Sequence, residues 1–121
     1  QSESASIVLF STVATKLGMP FHASVATSKS AVEGLTKSIA ADLATKIRVN
    51  AIAPTITDTD LAAKFLRNER MVESTIQRHP LKKYLKPSEV AAMATYLLSD
   101  LSKSISGQVF NLDCGIVSLK L

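Results

Sequence analysis

The sequence is poor in the residues that would assign it to several common classes. A single cysteine, Cys114, rules out an internal disulfide and makes a reducing, cytoplasmic setting the expectation. Tryptophan is absent and aromatic residues make up only 5%. Without a basic helix interleaved with aromatics, the formal net charge of +4 does not imply a nucleic-acid partner. No apolar run approaches the roughly 20 residues a membrane helix needs, so no membrane partner is expected. The four glycines, at 18, 34, 107 and 115, are dispersed, which excludes a glycine-rich phosphate-cradling turn from these residues. No metal site is expected.

What is present is one globular segment's worth of patterned chain: 121 residues, 46% hydrophobic and 20% charged. Ser6 to Phe10 is an unbroken apolar run of strand length, as in a strand covered on both faces. Ser11 to Pro20, with Gly18 and Pro20, reads as a loop. From Phe21 to Ala44 the apolar residues Val25, Val32, Leu35, Ile39 and Leu43 recur at helical spacing, and a second row, Ala26, Ser30, Gly34 and Ser38, carries only small side chains. The two rows predict a helix with a sheet on one face and another helix on the other. Ile47 to Ala53, rich in β-branched residues and stopped by Pro54, is the next strand.

Beyond Pro54, residues 55–86 read as a lid. Asp58 or Thr59 can cap a helix in two pieces broken near Asn68 and stopped at His79-Pro80. Seven Lys or Arg against two Glu between Lys64 and Lys86 read as a solvated lid surface. Pro87 and Glu89 suit the first turn of a further helix running to about Asp100, and residues 108 to 112 form the last strand. The order strand, helix, strand, lid, helix, strand fits part of a doubly wound α/β sheet with three parallel strands.

Four stretches carry a family resemblance: STVAT at 11 to 15, VATSK at 25 to 29, IRVNAIAP at 47 to 54 and GQVFNLDCG at 107 to 115. Together they make the chain similar to the C-terminal half of a short-chain dehydrogenase/reductase. The resemblance implies a Rossmann-like fold, residues 1–121 as one segment of it, and an N-terminal nucleotide-binding half lying before Gln1. It implies NAD or NADP as cofactor, a small-molecule carbonyl or alcohol as substrate, and hydride transfer as the reaction. Thr12 stands at the family's polarising Ser position, thirteen residues before the family's catalytic Tyr, and Lys29 at the position of the Lys that also holds the nicotinamide ribose. The Tyr position itself is held by Val25, which cannot donate a proton.

His22, three residues earlier, has the proton chemistry to substitute. The alternative is a non-catalytic member that binds cofactor or partners. Pro54, Thr57 and Thr59 resemble the turn that holds the nicotinamide carboxamide, with Thr55 replacing a Gly; a backbone of positive φ there would conflict with a β-branched residue. Cys114 reads as a small buried residue. The small row on helix 22–44, with Gly34 at its centre, predicts a homo-oligomer, since relatives pair this helix about a two-fold axis.

Overall fold

The computed structural model describes residues 4–121. Its three strands are β1 (Ala5–Phe10), β2 (Ile47–Pro54) and β3 (Val109–Leu112), and the helices are α1 (Ala23–Asp42), α2 (Glu69–Arg78) and α3 (Pro87–Leu98). The sheet is parallel throughout, in the order β1-β2-β3, with Phe10 opposite Ile52 and Pro54 opposite Leu112. This is the α/β architecture the sequence predicts. The central strand is where burial is complete: Val49, Asn50, Ala51, Ile52 and Ala53 are all 0% exposed. A buried Asn inside an apolar strand needs partners. Asn50 has them, because its amide donates to the Ile105 carbonyl at 3.0 Å while its Oδ1 accepts from the Gln108 N–H, also at 3.0 Å.

The same logic fixes α3. Ser6 and its register partner Arg48 both donate to the Leu97 carbonyl at the end of α3, and Arg48 also reaches the Ser99, Ser102 and Ile105 carbonyls. One guanidinium thereby satisfies carbonyls that the helix end leaves without partners. Glu89 closes the other end by accepting from the Lys86 N–H at 2.7 Å. The helix stops at Leu98 rather than Asp100, because Ser99 turns extended and its hydroxyl starts a short 3-10 turn, Asp100–Ser102.

One expectation about α1 needs correction. Its more buried stripe runs through Lys29, Val32, Glu33, Thr36, Ile39, Ala40 and Leu43, with Thr36 and Ala40 buried and the others half-buried, whereas Val25 and Leu35 are 47% and 50% exposed. A step of one residue turns about 100° around a helix, so Thr36 on the sheet side puts Leu35 beside the stripe; Val25 lies in the first turn. The face toward the sheet is narrow and takes Thr and Ala, since close packing there leaves little room. Among the described residues no other helix covers the small row. Ser30, Gly34 and Ser38 are exposed, and nothing lies within 4 Å of a Cβ built on Gly34.

The lid follows the two-piece expectation. Thr59 caps a 3-10 segment, Asp60–Phe65, and Asn68 caps α2, each through its side-chain oxygen. The lid returns to the sheet through a parallel bridge between Thr57 and Leu85.

Candidate functional site

The carboxyl ends of β1 and β2 open onto a cavity of about 660 Å³ whose walls include Thr12, Met19, His22, Pro54, Thr55, Thr57, Thr59, Phe65, Arg78 and His79. Such a position, outside the carboxyl ends of parallel strands, is where open α/β sheets bind ligands. Five of the six residues singled out from sequence meet on these walls: Thr12, His22, Pro54, Thr57 and Thr59. Lys29 does not line the cavity. Its ammonium donates to the Phe10 carbonyl at 3.1 Å, behind the loop that carries Thr12.

Thr12 begins a 3-10 turn, Val13–Thr15, where its Oγ1 accepts from the Ala14 N–H at 3.3 Å. The hydroxyl acts there as acceptor, so its proton remains for a donor role toward the cavity. The loop is held from behind by Glu33, whose carboxylate accepts from Ser11 and Thr15 at 2.5 Å each and from Lys16 at 2.8 Å. Burial acts to raise the Glu33 pKa, but the hydrogen bonds from Lys16, Ser11 and Thr15 outweigh it and hold the carboxyl below its ordinary value of 4.5. Glu33 is one turn beyond Lys29, so the two flank the same stripe of α1.

His22 occupies the N-cap of α1 without capping it. Phe21 just before it is forced into the left-handed region at φ 64°, and this sharp entry turns the imidazole back onto its own loop. Its Nδ1 lies 2.7 Å from the Pro20 carbonyl. A carbonyl only accepts, so Nδ1 carries a proton and Nε2 is the nitrogen that can exchange one. The ring rests against Phe65 of the lid, centroids 6.2 Å apart. Val25, at the family's Tyr position, is absent from the cavity walls.

The turn at 54–59 is built without a left-handed residue: positive φ among described non-glycine residues occurs at Phe21, Lys82 and Cys114, not at Thr55. The anticipated conflict at Thr55 therefore does not arise. Instead, Thr55 is buried and its hydroxyl sits 2.6 Å from Nε2 of His79, whose Nδ1 is 2.7 Å from the Thr75 carbonyl. Nδ1–H donates to Thr75, which leaves Nε2 to accept from Thr55. This link, invisible in sequence because His79 looks like a residue before a helix-stopping Pro, bolts the root of the lid to the end of β2. The bridge to Leu85 uses the Ile56 carbonyl and the Asp58 N–H, so the N–H and carbonyl of Thr57 face the other way. Cys114 is buried, and burial pushes its thiol pKa up, away from reactive thiolate character.

Among the described residues no group of His, Cys, Asp and Glu is arranged to hold a metal, and no helix is long and apolar enough to cross a membrane.

A family model described as enoyl-(acyl carrier protein) reductase matches residues 1–117. The chain is 39% identical over 118 residues to a 3-oxoacyl-(acyl-carrier-protein) reductase of Thermotoga maritima, covering 97% of this chain and 47% of that protein. A tropinone reductase homolog of Datura stramonium is 38% identical, with 94% and 44% covered. Among solved structures, the ligand-free aldohexose dehydrogenase of Thermoplasma acidophilum superposes with a TM-score of 0.93 at 34% identity, covering 98% of this chain and 50% of that one. A gluconate 5-dehydrogenase of Burkholderia cenocepacia in complex with NADP and tartrate gives 0.88 at 28% identity, with 95% and 46% covered. The chain thus spans about half the length of the curated relatives it matches.

Proposed function

The chain belongs to the short-chain dehydrogenase/reductase family, and we propose that it forms the substrate-side half of an NAD(P)-dependent oxidoreductase that interconverts a small carbonyl compound and its alcohol. In this reading the nucleotide-binding half is supplied by sequence that precedes these residues in the same protein. Pro54, Thr57 and Thr59 would hold the nicotinamide carboxamide, whereas Lys29, with its ammonium on the Phe10 carbonyl and off the cavity walls, would have to turn from it to reach the ribose. The donor set suits that group, since a carboxamide needs one acceptor and one donor and Thr57 offers an N–H away from its bridge and a carbonyl whose second lone pair remains beside the 3.4 Å bond from the Thr59 hydroxyl. When bound, the dinucleotide supplies or accepts the hydride.

The chain's own residues handle the proton. Thr12 donates a hydrogen bond to the carbonyl oxygen and polarises it. His22, protonated on both nitrogens, gives the Nε2 proton to that oxygen while Nδ1–H stays on the Pro20 carbonyl, and in the oxidative direction the neutral ring takes it back. Phe65 keeps the ring against the cavity wall. The single observation that carries this reading is the convergence of Thr12, His22 and the 54–59 turn on one cavity from which Val25 is excluded.

We place the protein in the cytoplasm and as a homo-oligomer paired through α1, its small row about the symmetry axis. Support comes from the lone thiol and from the open face at Gly34. The test is turnover of a panel of aldehydes, ketones and alcohols with NADH, NADPH and their oxidised forms, by protein carrying both halves of the fold. Turnover that collapses in His22→Ala supports the reading. Absence of turnover with any pair marks the protein as a non-catalytic member, and activity indifferent to His22→Ala removes His22 as the acid. Val25→Tyr restoring activity to an inert protein would show that the site had merely lost its donor.

A further inference from the structure

The cavity walls carry one permanently charged side chain, Arg78, and among the described residues no Asp or Glu lines them. The ion pairs among the described residues are Lys16 with Glu33 and Lys83 with Glu89, so Arg78 has no carboxylate to neutralise it. Its one hydrogen bond runs from Nη2 to the Thr75 hydroxyl at 3.3 Å. Thr75 is 1% exposed and lies in the last turn of α2, where its carbonyl also accepts from the buried His79. Arg78 is exposed; its guanidinium is held at one nitrogen by the hydroxyl of a buried residue and keeps most of its five N–H donors available. Besides the uncharged hydroxyls and imidazoles already described, the wall is apolar, with Leu17, Met19, Leu61, Phe65 and Ile116.

A guanidinium without a carboxylate partner, at the edge of a largely apolar, carboxylate-free cavity, is a receptor for a planar anion, because its fork donates two parallel hydrogen bonds to two oxygens. We propose that this site selects a ligand with an apolar body ending in an anionic oxygen group, a carboxylate or phosphate, held by Arg78. The inference deepens the proposed oxidoreductase reading and rests on it for the identity of the cavity as the substrate's. The other six cations between Lys64 and Lys86 are not on these walls, so general surface charge does not provide the same recognition.

The test compares 4-carboxybenzaldehyde with its neutral methyl ester, in protein carrying both halves of the fold, for the native sequence, Arg78→Met and Arg78→Lys. The native protein should favour the carboxylate, and Arg78→Met should lower the ratio of the two kcat/KM values roughly ten- to hundredfold, the range for losing a hydrogen bond to a charged group. Arg78→Lys, which keeps charge but not the fork, should fall between. Fluorescence titration of NADH and NADPH separates the source of the anion. Cofactor affinity lost in Arg78→Met with the substrate ratio unmoved assigns the anion to cofactor phosphate; a ratio lost at constant affinity assigns it to substrate. A ratio and affinities that both ignore Arg78→Met overturn the inference. Should neither aldehyde be reduced, calorimetry with terephthalate still decides: binding lost in Arg78→Met upholds the anion site while the activity reading fails, and binding absent or unchanged overturns it.

Discussion

The two histidines of this chain start from the same local chemistry and end in different roles. Each sets its Nδ1 2.7 Å from a backbone carbonyl, Pro20 for His22 and Thr75 for His79, which fixes the same tautomer in both. What separates them is whether Nε2 has a partner. At the root of the lid His79 is 2% exposed and its Nε2 is consumed by the Thr55 hydroxyl. At the mouth of α1 His22 is half-buried, rests on Phe65 and lines the cavity, and its Nε2 has no hydrogen-bond partner among the described residues. A buried imidazole with both nitrogens satisfied is a fastener; an imidazole with one nitrogen held and the other at a cavity wall is equipped for proton transfer.

Substitution should separate the two sharply. In protein carrying both halves of the fold, His22→Ala should lower kcat by about 10²- to 10⁴-fold, the usual contribution of a positioned general acid, with little change in melting temperature. Steady-state kinetics beside a thermal melt reads both, and a stability loss without a rate loss would reverse the assignment. His79→Leu should do the opposite in character. It strands the Thr55 hydroxyl and the Thr75 carbonyl in a buried setting and should cost roughly 2–4 kcal/mol in denaturant unfolding. Unfolding indistinguishable from the native protein would deny the fastener role.

Glu33 extends the comparison to the loop behind His22. Glu33→Gln leaves Ser11, Thr15 and Lys16 a weaker acceptor and should cost about 1–3 kcal/mol. Because the folded carboxyl is held below 4.5, its stabilisation is fully present above that value and is lost as pH falls through the folded pKa. Stability measured on acidification below about pH 4.5 should therefore fall more steeply in the native protein than in Glu33→Gln. Parallel curves would mean that the network is not coupled to the carboxylate. The smallest effect on folding belongs to Gly34→Leu. The site is open, so the monomer's unfolding should change by about 1 kcal/mol at most, yet light scattering should show loss of the paired form. An oligomer that tolerates the leucine would remove α1 from the interface.

Much of this was legible in the chain. The run at Ile7 to Phe10, the β-branched stretch at 47 to 53 and the caps Thr59 and Asn68 are local signals, and local signals carry strands and helix starts. The spacing of Thr12, His22 and Lys29 relative to Val25 was equally local; Thr12 and His22 line the cavity and Lys29 does not. Harder to read was the azimuth of α1. The apolar row through Leu35 lies one residue away from the row that meets the sheet, and the choice of Thr36 and Ala40 over Leu35 depends on how closely β2 lets the helix approach. Thr55 is the opposite case, where a residue type that argued against a left-handed turn was right about the backbone and silent about its partner.

The sequence by itself determined the family, the order of elements and the absence of the Tyr hydroxyl at position 25, because each is written in contiguous residues and fixed spacings. Only the tertiary structure decided which polar groups are spent and which are available. Glu33 meets Ser11 across 22 positions, His79 meets Thr55 across 24, and Arg78 meets the cavity without an acid beside it. The physical reason is that a side chain's chemistry depends on its desolvation and its partners, and both are set by segments far apart in the chain that pack together only when the sheet has formed.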